Sequence, residues 1–213
     1  MTAAEPKHWD PRMWVNHGSS LIEDQPHIAQ RLIQHGIKQI PEEALCWFNL
    51  GLALHHQGNI PGAIRAYRHA LELPSPPWME ASNNLGQDLL LSSAFVEGWA
   101  LYERRLKQPR FDNRYFEQFA GVAWSGTGDS RPNDQLVLVA EQGFGDTLQF
   151  KRLGLQLQEQ GMRIRLFCQP QLTKLLREGS QLEHVSDRMA PNEFTGGTRW
   201  CPLMSLPHRV HLN

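Results

Sequence analysis

The stretch Gln135-Leu-Val-Leu-Val-Ala-Glu-Gln-Gly-Phe-Gly-Asp-Thr-Leu-Gln-Phe-Lys-Arg152 decides the fold of the second half of the chain. It opens as a continuous apolar run with two valines, as a strand buried on both faces does, and turns through two glycines into an amphipathic helical pattern. Strand, tight turn and helix follow in that order. A glycine-bearing turn after a strand places backbone N–H groups and one acidic side chain at the carboxyl edge of a sheet, where open α/β folds bind ligands.

Downstream the alternation continues. Residues 136–141 read as a strand, 146–160 as a helix, 163–168 as a second strand, 170–178 as a second helix and 184–186 as a short third strand. Residues 199–207 supply one more strand and a turn. Strands separated by helices of this length predict right-handed crossovers and a parallel sheet. Upstream, 121–133, with Trp124-Ser-Gly-Thr-Gly128 and Pro132, reads as loop and marks a domain boundary.

Before that boundary the pattern is helical. Pro41-Glu42-Glu43 suits a helix start, and Ala44, Trp47, Leu50, Gly51 and Leu54 fall on one face. Gly58-Asn59 breaks the pattern; Pro61 starts a second helix along Ala63, Tyr67, Ala70 and Leu71, which ends before Pro74-Ser75-Pro76-Pro77. Asn49-Leu50-Gly51, with Leu54, Tyr67 and Leu71, recurs as Asn84-Leu85-Gly86, with Leu89, Tyr102 and Leu106, an offset of 35 residues throughout. Such a period is the mark of stacked helix pairs, each too thin to bury its own apolar face.

Here the sequence resembles the tetratricopeptide repeat family, through Trp47, Leu50, Gly51, Gly58, Ala63, Tyr67, Ala70 and Pro74. The next copy is degenerate, since Gly98 and Arg105 replace the two small alanines and Ser93 replaces the turn glycine. Gly18, Leu21, Ala29, Ile33, Gly36 and Pro41 have roughly the spacing of an earlier copy, left open by the sequence. The repeats either bind a peptide or partner protein or pack against the rest of the chain.

Composition sets outer limits. The 213 residues are 40% hydrophobic with a formal net charge of -1, which gives no global electrostatic reason to expect nucleic acid. Residues 1–14 lack a basic region followed by an apolar one, and no apolar run approaches the roughly 20 residues of a membrane span. A cytoplasmic protein is the default expectation. Cys46, Cys168 and Cys201 are few, odd in number and far apart, which points to buried small hydrophobes and to neither a disulfide framework nor a metal site. His55 and His56, adjacent on a helix, point in different directions and do not form a chelating pair. The basic run Arg104, Arg105, Lys107, Arg110 and Arg114 reads either as an anion patch or as a solvated helix end complementing the dipole.

The loop Gly143-Phe144-Gly145-Asp146-Thr147 lacks the third glycine of the dinucleotide fingerprint, which weakens a dinucleotide-dependent oxidoreductase, and lacks the Gly-Lys-Ser/Thr of a P-loop. Two readings remain: a helix end capped by Asp146 or Thr147, or an anion site that presents Asp146 as a base.

The decapeptide Glu141-Gln-Gly-Phe-Gly-Asp-Thr-Leu-Gln-Phe150, with Arg152, Gln169-Pro170 and Cys201-Pro-Leu-Met-Ser-Leu-Pro207, resembles bacterial tetratricopeptide proteins that end in a glycosyltransferase-like domain. Those proteins are similar to lipopolysaccharide heptosyltransferases and to O-linked N-acetylglucosamine transferases. Tyr102-Glu103-Arg104, Phe111 and Trp124-Ser125-Gly126 agree with the pattern at their junction. The resemblance implies helical repeats over 13–108, a linker over 109–133, a partial Rossmann-like N-terminal lobe of a GT-B transferase over 134–207 and a divergent tail over 208–213, hence an α + α/β chain. It implies Asp146 as the base and Gln142, Gly143, Phe144, Gly145 and Thr147 as substrate contacts, with no metal and no cofactor, a nucleotide sugar being the donor in complete relatives. The donor-binding lobe has no counterpart before Asn213. The expectation is therefore a chain truncated or frameshifted after Pro207, not competent alone, and prone to self-association through an uncovered apolar face or edge of its sheet.

Overall fold

The computed structural model describes residues 9–74, 79–107, 122–129, 134–188 and 198–211. They fall into two compact units, Met1–Gln108 and Pro109–Asn213, and the architecture is α + α/β.

The first unit holds three helical hairpins. They are α1 (Pro11–Ser20) with α2 (Pro26–Ile37), α3 (Ala44–His56) with α4 (Ile60–Glu72), and α5 (Met79–Leu91) with α6 (Phe95–Tyr102), which runs into a 3-10 turn at Glu103–Lys107. Local chemistry sets the starts. Asp10 accepts the Arg12 N–H at 2.9 Å and Asn59 that of Gly62 at 3.1 Å, while Pro11, Pro26 and Pro61 sit in first turns where a missing N–H costs nothing. Pro41 does not start α3. Its carbonyl instead accepts Trp47 Nε1–H at 2.7 Å, and the helix begins at Ala44.

The earlier copy left open by the sequence is present as α1 and α2. Gly18, Gly51 and Gly86 occupy one position of the first helices, and each faces its partner helix too closely for a side chain: an added Cβ would meet Ile33 Cγ1 at 2.7 Å, the Tyr67 ring, and the Tyr102 backbone nitrogen at 3.1 Å, respectively. The opposing position carries Ala29, Ala63 or Gly98. Val15, Ile33, Leu50, Ala53, Ala63, Tyr67, Leu85 and Leu89 join in one buried cluster, so each hairpin completes its core with its neighbours.

The turn between helices tests the degenerate copy. Gly58 has φ 73°, and Ser93, 35 residues on, is held at φ 64°. A left-handed conformation costs an L-residue about 1–2 kcal/mol, offset in part by the greater unfolded-state entropy of glycine. Ser93→Gly is therefore expected to stabilise the chain by about 0.5–1 kcal/mol. A higher urea midpoint checks this, and a lower one refutes it.

The second unit is a parallel sheet. Its elements are β1 (Val122–Ala123), β2 (Gln135–Val139), α7 (Phe144–Glu159), β3 (Arg163–Phe167), α8 (Pro170–Gly179), β4 (His184–Ser186) and β5 (Thr198–Pro202), then a 3-10 turn (Leu203–Ser205) and α9 (Leu206–Arg209). Strand order is β1-β5-β2-β3-β4. In the central register Leu136 pairs with Ile164 and Arg199, and Val139 with Phe167 and Pro202. Leu136, Leu138, Ile164 and Leu166 are fully buried, and Gly154 of α7 lies over Leu138, where a Cβ would come within 2.7 Å of Cδ1.

Two expectations are corrected here. Residues 122–129, read as part of a linker, supply β1 and a buried Trp124, because the strand's partner is β5, far off in sequence and invisible to local pattern. His208 and Arg209, where the sequence departs from the family pattern, form the end of α9, and Gly126, at φ 133°, passes so close to the Arg209 carbonyl that an added Cβ would meet it at 2.8 Å. The expected bare apolar face is absent at the positions described: Val137, Val139 and Phe167, opposite α7's face, are 3%, 0% and 8% exposed. Edge strands β1 and β4 have two and three residues, which offers little template for edge pairing.

Candidate functional site

Strand order places the site. From β2 the chain moves to β3 and then β4 on one side, whereas β5 lies on the other side of β2, so the order reverses between β2 and β5. Ligands of open parallel sheets bind at the carboxyl edge beside such a reversal. The turn after β2 is Ala140-Glu141-Gln142-Gly143, and α7 starts at Phe144.

Asp146 is the third residue of α7, whose cap position is Gly143, so the helix starts two residues ahead of the expected 146. Asp146 Oδ2 accepts the Gly143 N–H at 3.1 Å, half of a capping box, since glycine has no side chain to return the bond. Its charge also lies at the positive end of α7. Thr147 is buried, its hydroxyl 3.2 Å from the Gly143 carbonyl and 3.0 Å from Gln169 Oε1. Gln169 Nε2 donates to the Gln142 carbonyl at 2.6 Å, which fastens the turn after β3 to the glycine loop. On the other side the Glu141 carboxylate accepts the Met204 N–H at 3.3 and 3.5 Å, which fastens the turn after β5.

Thus the structure brings Gln142, Gly143, Asp146 and Thr147 together through Gln169 and Glu141. Sequence reasoning quoted both of the latter without giving them a role. The signal was available for Gln169, which follows a strand and precedes the helix-starting Pro170 at the same carboxyl edge. Phe144 and Leu148, one turn apart on α7, are 48% and 40% exposed. Neither glycine is demanded by the fold itself: Gly143 has φ −67°, an added Cβ at Gly145 meets nothing within 4 Å, and one at Gly143 makes ordinary contact with Asp146 at 3.4 Å. Small residues there leave the loop open to close approach from outside. A separate cleft of about 200 Å³ lies over β3 and β4, lined by Val137, Arg165, Phe167, His184 and Ser186 among others, with no glycine-loop residue in its wall.

Residues 44–73 match the tetratricopeptide repeat family model. They span α3 and α4. No curated protein matches the chain. Among solved structures, a mutant of the Thermobaculum terrenum O-GlcNAc transferase is similar at TM-score 0.41 and 14% identity, over 87% of this chain and 44% of that one. The chain therefore spans less than half the length of that protein.

The matched repeat and its neighbours carry polar groups of their own. Asp88 of α5 is fully buried, and its Oδ1 lies 2.6 Å from Nδ1 of His55 in α3, whereas Oδ2 is buried without a partner. Burial raises the Asp88 carboxyl above the usual aspartate range, and the bond to His55 opposes this. Burial first, and the nearby Asp88 second, push the Tyr67 phenol upward. The basic run is engaged where it is described: Arg104 donates to Ser82 Oγ at 2.6 Å, and buried Arg105 donates to Glu103 at 2.8 Å and stacks over Tyr102. Arg110 and Arg114 lie outside the described residues. All three cysteines are buried and none is in a disulfide among the described residues, and burial pushes the Cys46 thiol up to about 11. Among the described residues no group of three His, Cys, Asp or Glu side chains is placed to hold a metal, and no helix is long and apolar enough to cross a membrane.

Proposed function

We propose that this chain is a tetratricopeptide repeat protein related to GT-B glycosyltransferases, whose Rossmann-like unit presents the acceptor side of an active site and does not transfer sugar by itself. The observation that carries this reading is the fixed carboxylate at the sheet's reversal. Asp146 Oδ2 is held by the Gly143 N–H, and Oδ1 is left to accept a proton. In this reading Oδ1 takes the proton of an acceptor hydroxyl as its oxygen bonds to the anomeric carbon of a nucleotide sugar and the nucleoside diphosphate leaves. Gln142, Gly143, Phe144 and Gly145 form the acceptor surface, and buried Thr147 braces the loop from beneath. Donor-binding groups come from outside the described residues. Cysteines held outside disulfides fit a cytoplasmic setting.

Amide NMR of the full chain, titrated with a panel of sugars and nucleotide sugars, tests the reading. Shifts at Gly143, Gly145 and Thr147 are expected, without turnover. Turnover by the chain alone would overturn its incompetence. Any transfer that is found should be abolished by Asp146→Asn, and unchanged turnover in that variant removes Asp146 from the base role.

A second reading is a peptide-binding module built on the repeats. The observation favouring it is the family match at α3 and α4, since stacked repeats of this kind expose long surfaces suited to extended partners. Silence of the glycine loop toward every sugar, together with peptide capture, selects this reading.

A further inference from the structure

The three hairpins place one corner at equivalent positions, and each fills it differently. In the second hairpin Trp47 of α3 packs against His69 of α4 with ring centroids 4.2 Å apart, and Glu72 lies 3.8 Å from His69 Nδ1. In the third, Ser82 and Arg104 take those two places and bond directly. In the first, Trp14 and His35 repeat the aromatic pair at 4.4 Å, with Trp9 a further 4.9 Å from Trp14, but the position of Glu72 is occupied by Lys38.

The first corner is therefore an aromatic–imidazole wall without its own carboxylate. It opens into a cleft of about 260 Å³ lined by Trp14, Arg31, Leu32, Gln34, His35 and Lys38. Arg31 and His35 of α2 and Lys38 at its C-cap follow one another at steps of four and three, and neither α1 nor α2 contains an acidic residue. Among the described residues none of the three side chains has an ion-pair partner, whereas Arg12 nearby is matched by Glu43 at 3.3 Å. Two guanidinium or ammonium charges and an imidazole around one concavity attract an anion. The occupant of the equivalent corner next door identifies its chemistry as a side-chain carboxylate.

We propose that the Trp14–His35 corner binds an acidic peptide, taking one Asp or Glu carboxylate between Arg31, His35 and Lys38. The inference deepens the peptide-binding reading and rests on it. Arg31 and Lys38 supply the charge, His35 a ring N–H, and Gln34 an amide for the peptide backbone.

Fluorescence polarisation of a labelled, N-acetylated Asp-Glu-Asp-Glu peptide against the full chain tests this. Saturable, salt-sensitive binding is expected, weakened roughly tenfold or more by Arg31→Gln and by Lys38→Glu, which gives the corner the carboxylate its neighbour already has. Arg65→Gln, the equivalent site in the second hairpin, should leave binding unchanged. Arg31, Lys38 and Arg65 are exposed, so unaltered circular dichroism will separate binding from folding. Undiminished binding by Lys38→Glu overturns the corner while sparing the repeats as a peptide surface. Failure of the acidic peptide and of a neutral one alike removes both. Displacement by inorganic phosphate at equal concentration overturns the assignment to a carboxylate peptide.

Discussion

Gly51→Ala is expected to destabilise the repeat unit by about 1–3 kcal/mol, against the roughly 1 kcal/mol gain that alanine brings over glycine in an unconstrained helix. The sign is reversed by Tyr67. Its ring is 1% exposed, and an alanine Cβ at position 51 would fall inside the space the ring occupies. The ring is hemmed in by Phe48, with centroids 6.0 Å apart, and by the buried cluster of three hairpins, so it has nowhere to retreat. Tyr67→Ala should itself cost about 3–5 kcal/mol as a cavity in that cluster. The two changes share one contact, so their costs should fall short of additive when combined, by about 1 kcal/mol or more. Urea titration followed by helical circular dichroism measures the cycle. Gly145→Ala is the control, because position 145 is open and the substitution should be neutral or stabilising. Strict additivity of the pair would show that the approach of α3 to α4 is not set by this contact.

The same close approach explains why so much of the first unit was legible. A glycine and an alanine or glycine must recur wherever two helices touch, so the spacing of Gly51, Ala63 and Tyr67 is a geometric requirement written into the sequence. The α1–α2 hairpin was harder to read because Ile33 stands where the later repeats have tyrosine. Within the sheet, β2, β3 and β4 were legible from their apolar runs and the helices between them. β1 was not: two residues carry no period, and their hydrogen-bond partners lie in β5. At the candidate site the glycine loop was visible, since a turn after a buried strand has few alternatives. Its fastening by Gln169 and Glu141 depends on which strands become neighbours, and that order is a tertiary fact. Asp88 was missed for a similar reason. It sits in a helix among polar neighbours, and only packing shows that it occupies the position of the buried Ala53 in the preceding repeat.

That substitution of an acid for an alanine leads to the largest pH effect expected of the chain. Asp88 faces His55 from α3 and lies near Tyr67 of α4, which Asn84 also bonds, and the imidazole supplies opposing charge. Its folded pKa is raised, so the folded state holds the proton more tightly than the unfolded state. Stability is therefore greatest below the usual aspartate range and declines as pH rises through the folded pKa. His55 limits that decline by favouring the carboxylate. In His55→Ala the limit is gone, the folded pKa moves higher still, and the buried carboxylate has neither oxygen paired. Removing one partner of a buried pair costs about 3–5 kcal/mol, and because the His55 side chain is 37% exposed, water should reduce this to about 2–3 kcal/mol at pH 7. At pH 3, with Asp88 protonated, the same substitution should cost well under about 1 kcal/mol. Asp88→Ala, which copies Ala53, should rescue His55→Ala at pH 7 and flatten this part of the pH dependence. Urea midpoints for the four proteins at pH 3 and 7 decide the matter: a pH-independent cost for His55→Ala would mean that packing of the imidazole, and not the charge of Asp88, is what α3 and α5 require.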